Sequence, residues 1–216
     1  MLCVDHLGLG RRGREIVDGV GFNIEAGWAL QIHGSNGCGK TTLLRALAGM
    51  LPPAAGSVRW RGMNVHAQPE RFRRERAYVG HSNGLSDDLS VLENLRFAAL
   101  LGVNPGSSRD ARMHERDVLE TAGLWTLRHA RVGSLSQGQR RRVALARVML
   151  ERKPLWLLDE PAEALDDAAQ AWLADALDEH LQDGGIVVAT THLRLPTAVA
   201  RTQHLQLQLQ LERGGS

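Results

Sequence analysis

Hydrophobic positions along the chain follow two repeats, one typical of buried strands and one typical of helices. Short apolar runs at 28–33, 154–160 and 184–192 have the length of strands that are covered on both faces. Stretches at 41–51 and 167–182 instead place apolar residues at helical spacing. Strands that alternate with helices of this length predict an α/β fold, in which a mainly parallel sheet carries helices on both faces.

The middle of the chain has a different, mostly helical pattern. A capping box, Ser90-Val91-Leu92-Glu93, opens one helix, and a loop is predicted at 102–108. We therefore expect a single domain in which a helical lobe, about 85–151, is inserted into an α/β core made of 1–84 and about 152–216.

Three shorter segments complete the predicted sheets. "SVRWRG" (57–62) and "AYVG" (77–80) have the composition of strands. "HLQLQLQLE" (204–212) alternates strictly between apolar and polar residues, which predicts a half-exposed edge strand.

Composition excludes several classes of protein. Apolar residues make up 43% of the 216 and charged residues 23%, as in ordinary soluble domains, and a net charge of +2 gives no argument for nucleic acid or a membrane surface. Neither a signal peptide nor an apolar run of about 18 residues is found, so no membrane span is expected. Two cysteines, Cys3 and Cys38, are too few for a disulfide framework and fit a reducing cytosol.

A glycine-rich turn between a predicted strand and a predicted helix fits the phosphate-binding pattern G-x-x-x-x-G-K-[ST]. Its glycines let successive N–H groups point inward, Lys40 would reach the β and γ phosphates, and the Thr41 hydroxyl would bind Mg²⁺. Lys40 is one of only two lysines, the other being Lys153. The predicted nucleotide-binding loop consists of Gly34, Ser35, Asn36, Gly37, Cys38, Gly39, Lys40, Thr41 and Thr42.

Two adjacent carboxylates follow the apolar run "LWLLDEP". Asp159 can hold the Mg²⁺ shell, and Glu160 is placed to orient or deprotonate an attacking water. A positioned base of this kind contributes about 10²–10⁴ in rate.

A second helix start, in "SLSQGQRRRVALAR" (134–147), is open to two interpretations. Ser136 and Gln139 form a capping box around Gly138, ahead of three arginines. A capped, basic, solvent-exposed helix accounts for these residues, and so does an anion-binding helix N-terminus. The residues of this segment fit both interpretations and do not decide between them.

These motifs together resemble the ABC (ATP-binding-cassette) ATPases. "LSQGQ" is similar to the LSGGQ signature, with Gln137 in place of its first glycine. In the family's order, 34–42 resembles the Walker A loop, 155–160 the Walker B strand, 164–166 the D-loop and His192 the switch histidine. The resemblance covers essentially the whole chain and implies the ABC ATPase fold, including an antiparallel β subdomain.

The resemblance also implies a mechanism. Two identical chains would pack head to tail, so that each Mg²⁺-bound ATP lies between one Walker A loop and the partner's signature. Catalytic roles would fall to Lys40, Glu160 and His192. Further nucleotide contacts would come from the signature residues Ser136, Gly138 and Gln139 and from the D-loop residue Asp166.

Two departures from the family pattern affect the nucleotide site. His81, in "GHSNG", stands where the family has a glutamine that touches Mg²⁺ and water. No aromatic residue is found where the family stacks adenine, so Arg11 in "GLGRRGRE" lies on the base or nothing does.

His81 in "GHSNG" and the compact length of the chain resemble the haem-export ATPases of bacterial cytochrome c maturation. This similarity implies the membrane subunits CcmB, CcmC and CcmD as partners, the chaperone CcmE as an indirect one, and a peripheral position on the cytoplasmic face of the inner membrane. The chain has no C-x-x-C-H motif, so we expect no direct haem ligand.

Three alternatives remain at this point. An exporter subunit for a drug or lipid shares every motif. A soluble ABC ATPase acting on ribosomes or nucleic acid usually carries two cassettes or long insertions. The basic run "RFRRER" (71–76) contains a single aromatic residue, and the net charge of the chain is near zero, so a solvated charged run is the favoured interpretation and no nucleic-acid partner is expected. A small-molecule P-loop kinase has no use for the signature, Asp166 or His192.

Overall fold

A computed structural model describes residues 1–11, 14–102, 108–192, 195 and 201–208. The strands are β1 (Leu2–Arg11), β2 (Arg14–Ile24), β3 (Ala29–His33), β4 (Ala55–Trp60), β5 (Met63–Asn64), β6 (Arg76–Val79), β7 (Leu155–Asp159), β8 (Ile186–Thr190) and β9 (Thr202–Gln206). The helices are α1 (Lys40–Leu47), α2 (Pro69–Arg73), α3 (Val91–Gly102), α4 (Ser108–Thr121), α5 (Gln137–Glu151) and α6 (Asp167–Gln182), with 3-10 turns at Trp125–Leu127 and Val132–Ser134.

The described strands form two sheets of different kinds. A five-stranded sheet has the order β6-β7-β8-β3-β9, and all of its pairings are parallel. A four-stranded antiparallel sheet has the order β2-β1-β4-β5. The predicted fold class, a mainly parallel α/β core with an antiparallel β subdomain, is therefore confirmed.

Alternate residues of the central strand β7 enter two separate hydrophobic cores. Leu155 and Leu157 pack with α1 and the antiparallel sheet, whereas Trp156 and Leu158 pack with α5 and α6 on the opposite face. All five residues of β7 are buried, which is why the sequence shows a continuous apolar run here.

The helical middle of the chain has a third core, in which Val91, Leu119, Val132 and Val143 are among the buried residues. Helix α5 contributes to this core and also, through Leu145, to the core beneath the parallel sheet. The signature helix is thus packed against both parts of the molecule.

Most predicted elements are observed, with shifted ends. The helix expected at 41–51 stops at Leu47 and is followed by Gly49 at φ 69°. The edge strand predicted at 204–212 is β9, which begins at Thr202 and, among the described strands, pairs only with β3. Residues 209–212 lie outside the described residues. Of the loop predicted at 102–108, residues 103–107 also lie outside them.

In the part of the chain that the structure describes, no helix is long and apolar enough to cross a membrane.

Candidate functional site

The parallel strands bring the predicted site together at one edge of the sheet. The glycine loop leaves the carboxyl end of β3, the two carboxylates leave β7, and Thr190 ends β8 directly opposite Asp159. Carboxyl ends of neighbouring parallel strands form the crevice in which α/β proteins bind ligands.

The glycine loop turns tightly into α1, and Gly39 is the residue that closes this turn. Gly39 has φ 102°, which a residue with a side chain rarely adopts, and an added Cβ would lie 2.7 Å from Cγ2 of Ile16. Strand β2 therefore packs against the loop so closely that only glycine fits. Exposed Ser35 and Asn36 form the tip of the loop, while Cys38 is buried and donates its N–H to the Ser35 carbonyl at 3.3 Å.

Lys40 lies across the mouth of the loop rather than in solvent. Its Nζ donates to the carbonyls of Gly34 and Ser35, at 2.8 and 3.3 Å, and lies 3.3 Å from Nε2 of His192. The side chain is buried, yet these partners are weak compared with a phosphate oxygen. The ammonium group is thus available for charge-assisted bonds to an anion.

Asp159 joins two threonine hydroxyls at the end of β7. Thr41 Oγ1 donates to both of its carboxylate oxygens, at 3.2 and 3.0 Å, and Thr190 Oγ1 donates to Oδ1 at 2.6 Å. The Asp159 carboxylate is buried and close to the phosphate-binding loop.

The donor set at Thr41 and Asp159 fits Mg²⁺. Within the described residues, no group of three or more His, Cys, Asp or Glu is arranged to hold a metal ion. Magnesium is usually bound by one or two protein oxygens, with substrate phosphates and waters completing the octahedron. One buried carboxylate in contact with one hydroxyl matches that requirement.

Glu160 has an uncommon backbone conformation that turns its side chain into the site. Its φ is 49°, in the left-handed region, and its N–H donates to both the carbonyl and the hydroxyl oxygen of Thr190, each at 3.1 Å. The backbone N–H of His192 donates to Glu160 Oε2 at 3.2 Å.

The other oxygen, Glu160 Oε1, lies 3.3 Å from His192 Nε2, but the two groups are not aligned for a hydrogen bond. Among the described residues, this buried oxygen has no hydrogen-bond donor. The Glu160 carboxylate therefore keeps one acceptor oxygen that no described donor satisfies.

The two ends of the signature capping box bond to each other, as predicted. Ser136 Oγ accepts from the Gln139 N–H at 3.2 Å, and Gln139 Oε1 accepts from the Ser136 N–H at 2.9 Å. Two helix-start donors are satisfied in this way, whereas the remaining N–H groups of the first turn point out of the helix.

Gly138 places the signature against the predicted D-loop of the same chain. A Cβ at Gly138 would overlap the carbonyl oxygen of Ala164, and Ala164 itself has φ 62°. Asp166 caps α6 by accepting from the Ala169 N–H at 2.8 Å. The structure thus gives Asp166 a capping role and sets the two motifs side by side.

The structure does not bring every predicted site residue to the loop. Among the described hydrogen bonds, none joins the start of the signature helix to residues 34–42. His81 is mostly exposed, with Nδ1 3.8 Å from Oε2 of Glu163, the one ion pair described for it. The side chain of Arg11 lies outside the described part of the structure.

Two residues near the carboxylates escaped the sequence analysis, Thr190 and Arg141. Thr190 fixes both Asp159 and Glu160 through the contacts given above. Arg141 is buried in α5 and donates to the carbonyls of Asp159 and Glu160. Neither had a distinguishing signal, because Thr190 belongs to an apolar strand run and Arg141 is the middle one of three consecutive arginines.

Comparison with known proteins identifies the family. The family model described as ABC transporter matches residues 17–163. The chain belongs to the ABC transporter family. The matched segment of this ABC cassette includes the glycine loop, the signature helix and both carboxylates.

Curated relatives place the cassette within a branch of that family. A cytochrome c biogenesis ATP-binding export protein CcmA from Paraburkholderia xenovorans (strain LB400) is 60% identical and covers 96% of this chain and 97% of the relative. The protein of the same name from Dechloromonas aromatica (strain RCB) is 44% identical over 96% of this chain and 100% of its own length. The resemblance to this group and the ATP-binding subunit type are confirmed.

Solved structures agree on the fold. A bacterial ABC transporter cassette, solved as a dimer, superposes with a TM-score of 0.83 and 24% sequence identity, covering 98% of this chain and 97% of the other. At this identity the likeness concerns the fold.

Proposed function

We propose that this ABC ATPase binds and hydrolyses MgATP to drive the haem-export complex of bacterial cytochrome c maturation. The observation that carries the ATPase part is the cluster at one sheet edge, where His192 lies beside both Lys40 and Glu160 and the neighbouring Thr41 donates to Asp159. The cytochrome c part rests on relatives of that name that match nearly the full length of the chain.

ATP binding starts at the glycine loop. The first N–H groups of α1 and the loop amides face the β and γ phosphates, where the partial positive charge of a helix start favours an anion. Lys40 leaves the carbonyls of Gly34 and Ser35 and bonds to the phosphates instead. Thr41 Oγ1 and Asp159 would hold Mg²⁺, which would neutralise phosphate charge when bound.

Hydrolysis uses the carboxylate of Glu160. A water oxygen attacks the γ phosphorus as this carboxylate accepts its proton, and the bond between the γ phosphorus and the bridging oxygen breaks, leaving the electron pair on ADP. His192 holds Glu160 through its backbone N–H and presents its imidazole to the γ phosphate. Lys40 stabilises charge on the oxygens of the transferred group.

The complete site requires a second copy of the chain. No described hydrogen bond joins the glycine loop to the signature start of the same chain, and a helix start leaves N–H groups without partners inside the helix. A head-to-tail homodimer with two-fold symmetry sets Ser136, Gly138 and Gln139 against the γ phosphate bound by the partner, with Asp166 beside them.

Two further assignments complete the nucleotide site. His81 replaces the metal- and water-contacting glutamine, and its imidazole reaches the site once Glu163 releases it. Arg11 lies on the adenine base, where a planar guanidinium substitutes for an aromatic ring.

Membrane subunits supply the membrane-spanning part of the proposed complex. The direct partners proposed are CcmB, CcmC and CcmD, which hold the chain peripherally at the cytoplasmic face of the inner membrane. The haem chaperone CcmE is an indirect partner, because ATP turnover in the complex releases it in its haem-loaded form. Their docking surface lies along His81–Asn94, between the end of β6 and the start of α3. The helical lobe, about 85–151, transmits the dimer's opening and closing to them.

Complementation tests the whole proposal. The full chain, expressed in a bacterium that lacks its own cytochrome c biogenesis ATP-binding subunit, is expected to restore covalent haem attachment to c-type cytochromes. The Glu160→Gln variant serves as the matched inactive control. ATPase activity without restoration, in a strain where the chain and the membrane subunits fail to co-purify, would contradict the cytochrome c assignment and favour a drug or lipid exporter.

A further inference from the structure

Arg141 connects the signature helix to the backbone around Glu160. It lies on α5, is only 4% exposed, and its guanidinium donates to three consecutive carbonyls. These belong to Asp159, to Glu160 at 2.7 Å and to Pro161 at 3.4 Å. The segment that carries the proposed base is therefore held by an arginine from another element.

The same guanidinium also binds the segment that follows β6. Arg141 Nη1 donates to the Gly80 carbonyl at 3.1 Å and to Asn83 Oδ1 at 2.7 Å. His81 lies between these two acceptors in the chain. Arg141 thus joins the His81 segment and the Glu160 segment through one rigid, planar group.

The described acceptors of Arg141 are all neutral. In the described hydrogen bonds and ion pairs, its partners are carbonyl or amide oxygens, and burial lowers the pKa of the guanidinium. The nearby carboxylates of Asp159, Glu163 and Glu160 oppose this shift. A buried charge of this kind is weak evidence for stability, because its desolvation is costly.

Two residues in the left-handed region contact Arg141, one on each segment. Glu160 has φ 49°, which is disfavoured for most residues with side chains, and Asn83 has φ 58°, which asparagine adopts more readily than other such residues. Each residue accepts a hydrogen bond from the same guanidinium. Removing these bonds allows either backbone to relax toward an ordinary conformation.

Arg147 supports the His81 segment from the same helix. Its Nη1 donates to the Gly84 carbonyl at 2.6 Å and its Nη2 to the Tyr78 carbonyl at 3.4 Å. Both ends of the segment 78–84 are therefore attached to α5, so the segment moves with the signature helix.

We propose that Arg141 is a positioning residue for hydrolysis: it holds the Glu160 backbone in its left-handed conformation and couples that conformation to the segment containing His81. This inference rests on the proposed role of Glu160 as the base. Movement of the His81 segment then changes the placement of Glu160 without a direct contact between the two side chains.

The test compares Arg141→Lys with Arg142→Gln in the full-length chain. Lysine keeps the charge but cannot reach both segments at once, whereas Arg142 donates to the Ala122 carbonyl, away from the carboxylates. A small displacement of a catalytic group costs up to about 100-fold, so Arg141→Lys is expected to lower kcat about 10–100-fold. Its Kd for ATP is expected to change less than about twofold, and Arg142→Gln should keep kcat within about twofold.

A double variant separates positioning from general destabilisation. If Arg141 acts through Glu160, Arg141→Lys in the Glu160→Gln background is expected to leave the residual single-turnover rate unchanged, because the group being positioned is already disabled. Two results would overturn the role of Arg141 and leave the role of Glu160 intact. One is a multiplicative loss of rate in the double variant, and the other is a normal kcat in Arg141→Lys while Glu160→Gln is inactive. Full turnover by Glu160→Gln would instead refute the proposed role of Glu160.

Asn83→Gly provides a second variant if Arg141→Lys fails to fold. Glycine tolerates the positive φ of residue 83 but removes the Oδ1 acceptor, so only the coupling to Arg141 is weakened. We expect a loss in kcat of about threefold with unchanged ATP affinity, which corresponds to one hydrogen bond to a charged group partly replaced by water. Unchanged kcat would contradict the coupling.

Discussion

Thr41 donates its hydroxyl to both carboxylate oxygens of Asp159, at 3.2 and 3.0 Å, although 118 residues separate the two in the chain. The contact joins the start of α1 to the end of β7. It places one hydroxyl and one buried carboxylate where Mg²⁺ on an ATP phosphate would lie, and the ligand roles of both residues are open to direct measurement.

Asp159→Asn is expected to raise the Mg²⁺ concentration needed for half-maximal ATPase activity by about 10–100-fold, because a neutral amide is a poorer ligand for a hard cation. Titrating Mg²⁺ at fixed ATP measures this shift. Asp167→Asn, an exposed position at the start of α6, serves as the control. An unchanged Mg²⁺ requirement would remove Asp159 from the metal site.

Glu160→Gln is expected to lower turnover about 10²–10⁴-fold while ATP still binds, because the amide keeps the shape of the side chain but cannot accept the water's proton. ATP should then trap a dimer that elutes ahead of the nucleotide-free chain in size-exclusion chromatography. Undiminished turnover would show that another group acts as the base.

Lys40→Ala and Ser136→Ala test whether two chains share each site. Lys40→Ala should weaken ATP binding about 10–100-fold, because charge-assisted bonds to phosphate are lost. Ser136→Ala should also be inactive and, through loss of the helix cap, about 1 kcal/mol less stable.

A mixture of these two inactive variants should regain activity. In a mixed dimer, one site combines the intact loop of the Ser136→Ala chain with the intact signature of the Lys40→Ala chain. Random pairing predicts about a quarter of the activity of the unaltered dimer. If the mixture stays as inactive as its components, each site is built from a single chain.

His81→Gln is expected to retain more ATPase activity than His81→Ala in the assembled complex with the membrane subunits, because an amide can replace the polar contact of an imidazole and a methyl group cannot. The measurement is the steady-state rate per complex at saturating ATP. Equal losses in both variants would argue against a polar contact at this position.

His180 should make the fold less stable in mild acid. The ring stacks on Trp156 at a centroid distance of 3.9 Å, and burial lowers its pKa from 6.5 to about 4, against the opposing effects of the Ile186 carbonyl and Asp183. The folded state therefore binds this proton less readily than the unfolded state.

The resulting stability is present above pH 6.5 and is lost as the pH falls toward about 4, to a total of about 3 kcal/mol. Denaturant unfolding at a series of pH values measures the loss. His180→Phe keeps the stacked ring and should flatten the profile in this window, whereas His129→Gln should not. A profile unchanged by His180→Phe would assign the acid sensitivity to other groups.

Much of the fold could be predicted because its strands and helices are distinct in pattern. The buried strands β3, β7 and β8 appear as continuous apolar runs, and both capping boxes form as expected. The antiparallel sheet came from the family resemblance, since long-range pairing such as β1 with β4 depends on register rather than on local sequence.

The site was less predictable where its geometry depends on the backbone. Glu160 has a positive φ, Thr190 accepts from the Glu160 N–H and donates to Asp159, and Arg141 donates to the nearby carbonyls. These contacts join segments that are distant in the chain. No residue-type pattern encodes a carbonyl acceptor, because every residue carries one. The boundaries of the helical lobe and the roles assigned to the individual site residues remain predictions.

The contact between Gly138 and the Ala164 carbonyl has a genetic consequence. Any larger residue at 138 must push aside the segment leading to Asp166, so a single codon change would distort both surfaces that the proposed dimer presents to its twin. Chains altered in this way keep residues 34–42 unchanged, so one of the two proposed sites in a mixed dimer would still combine this loop with the undistorted signature of a normal copy, while the other site would be distorted. A cell expressing both forms should therefore show a dominant defect.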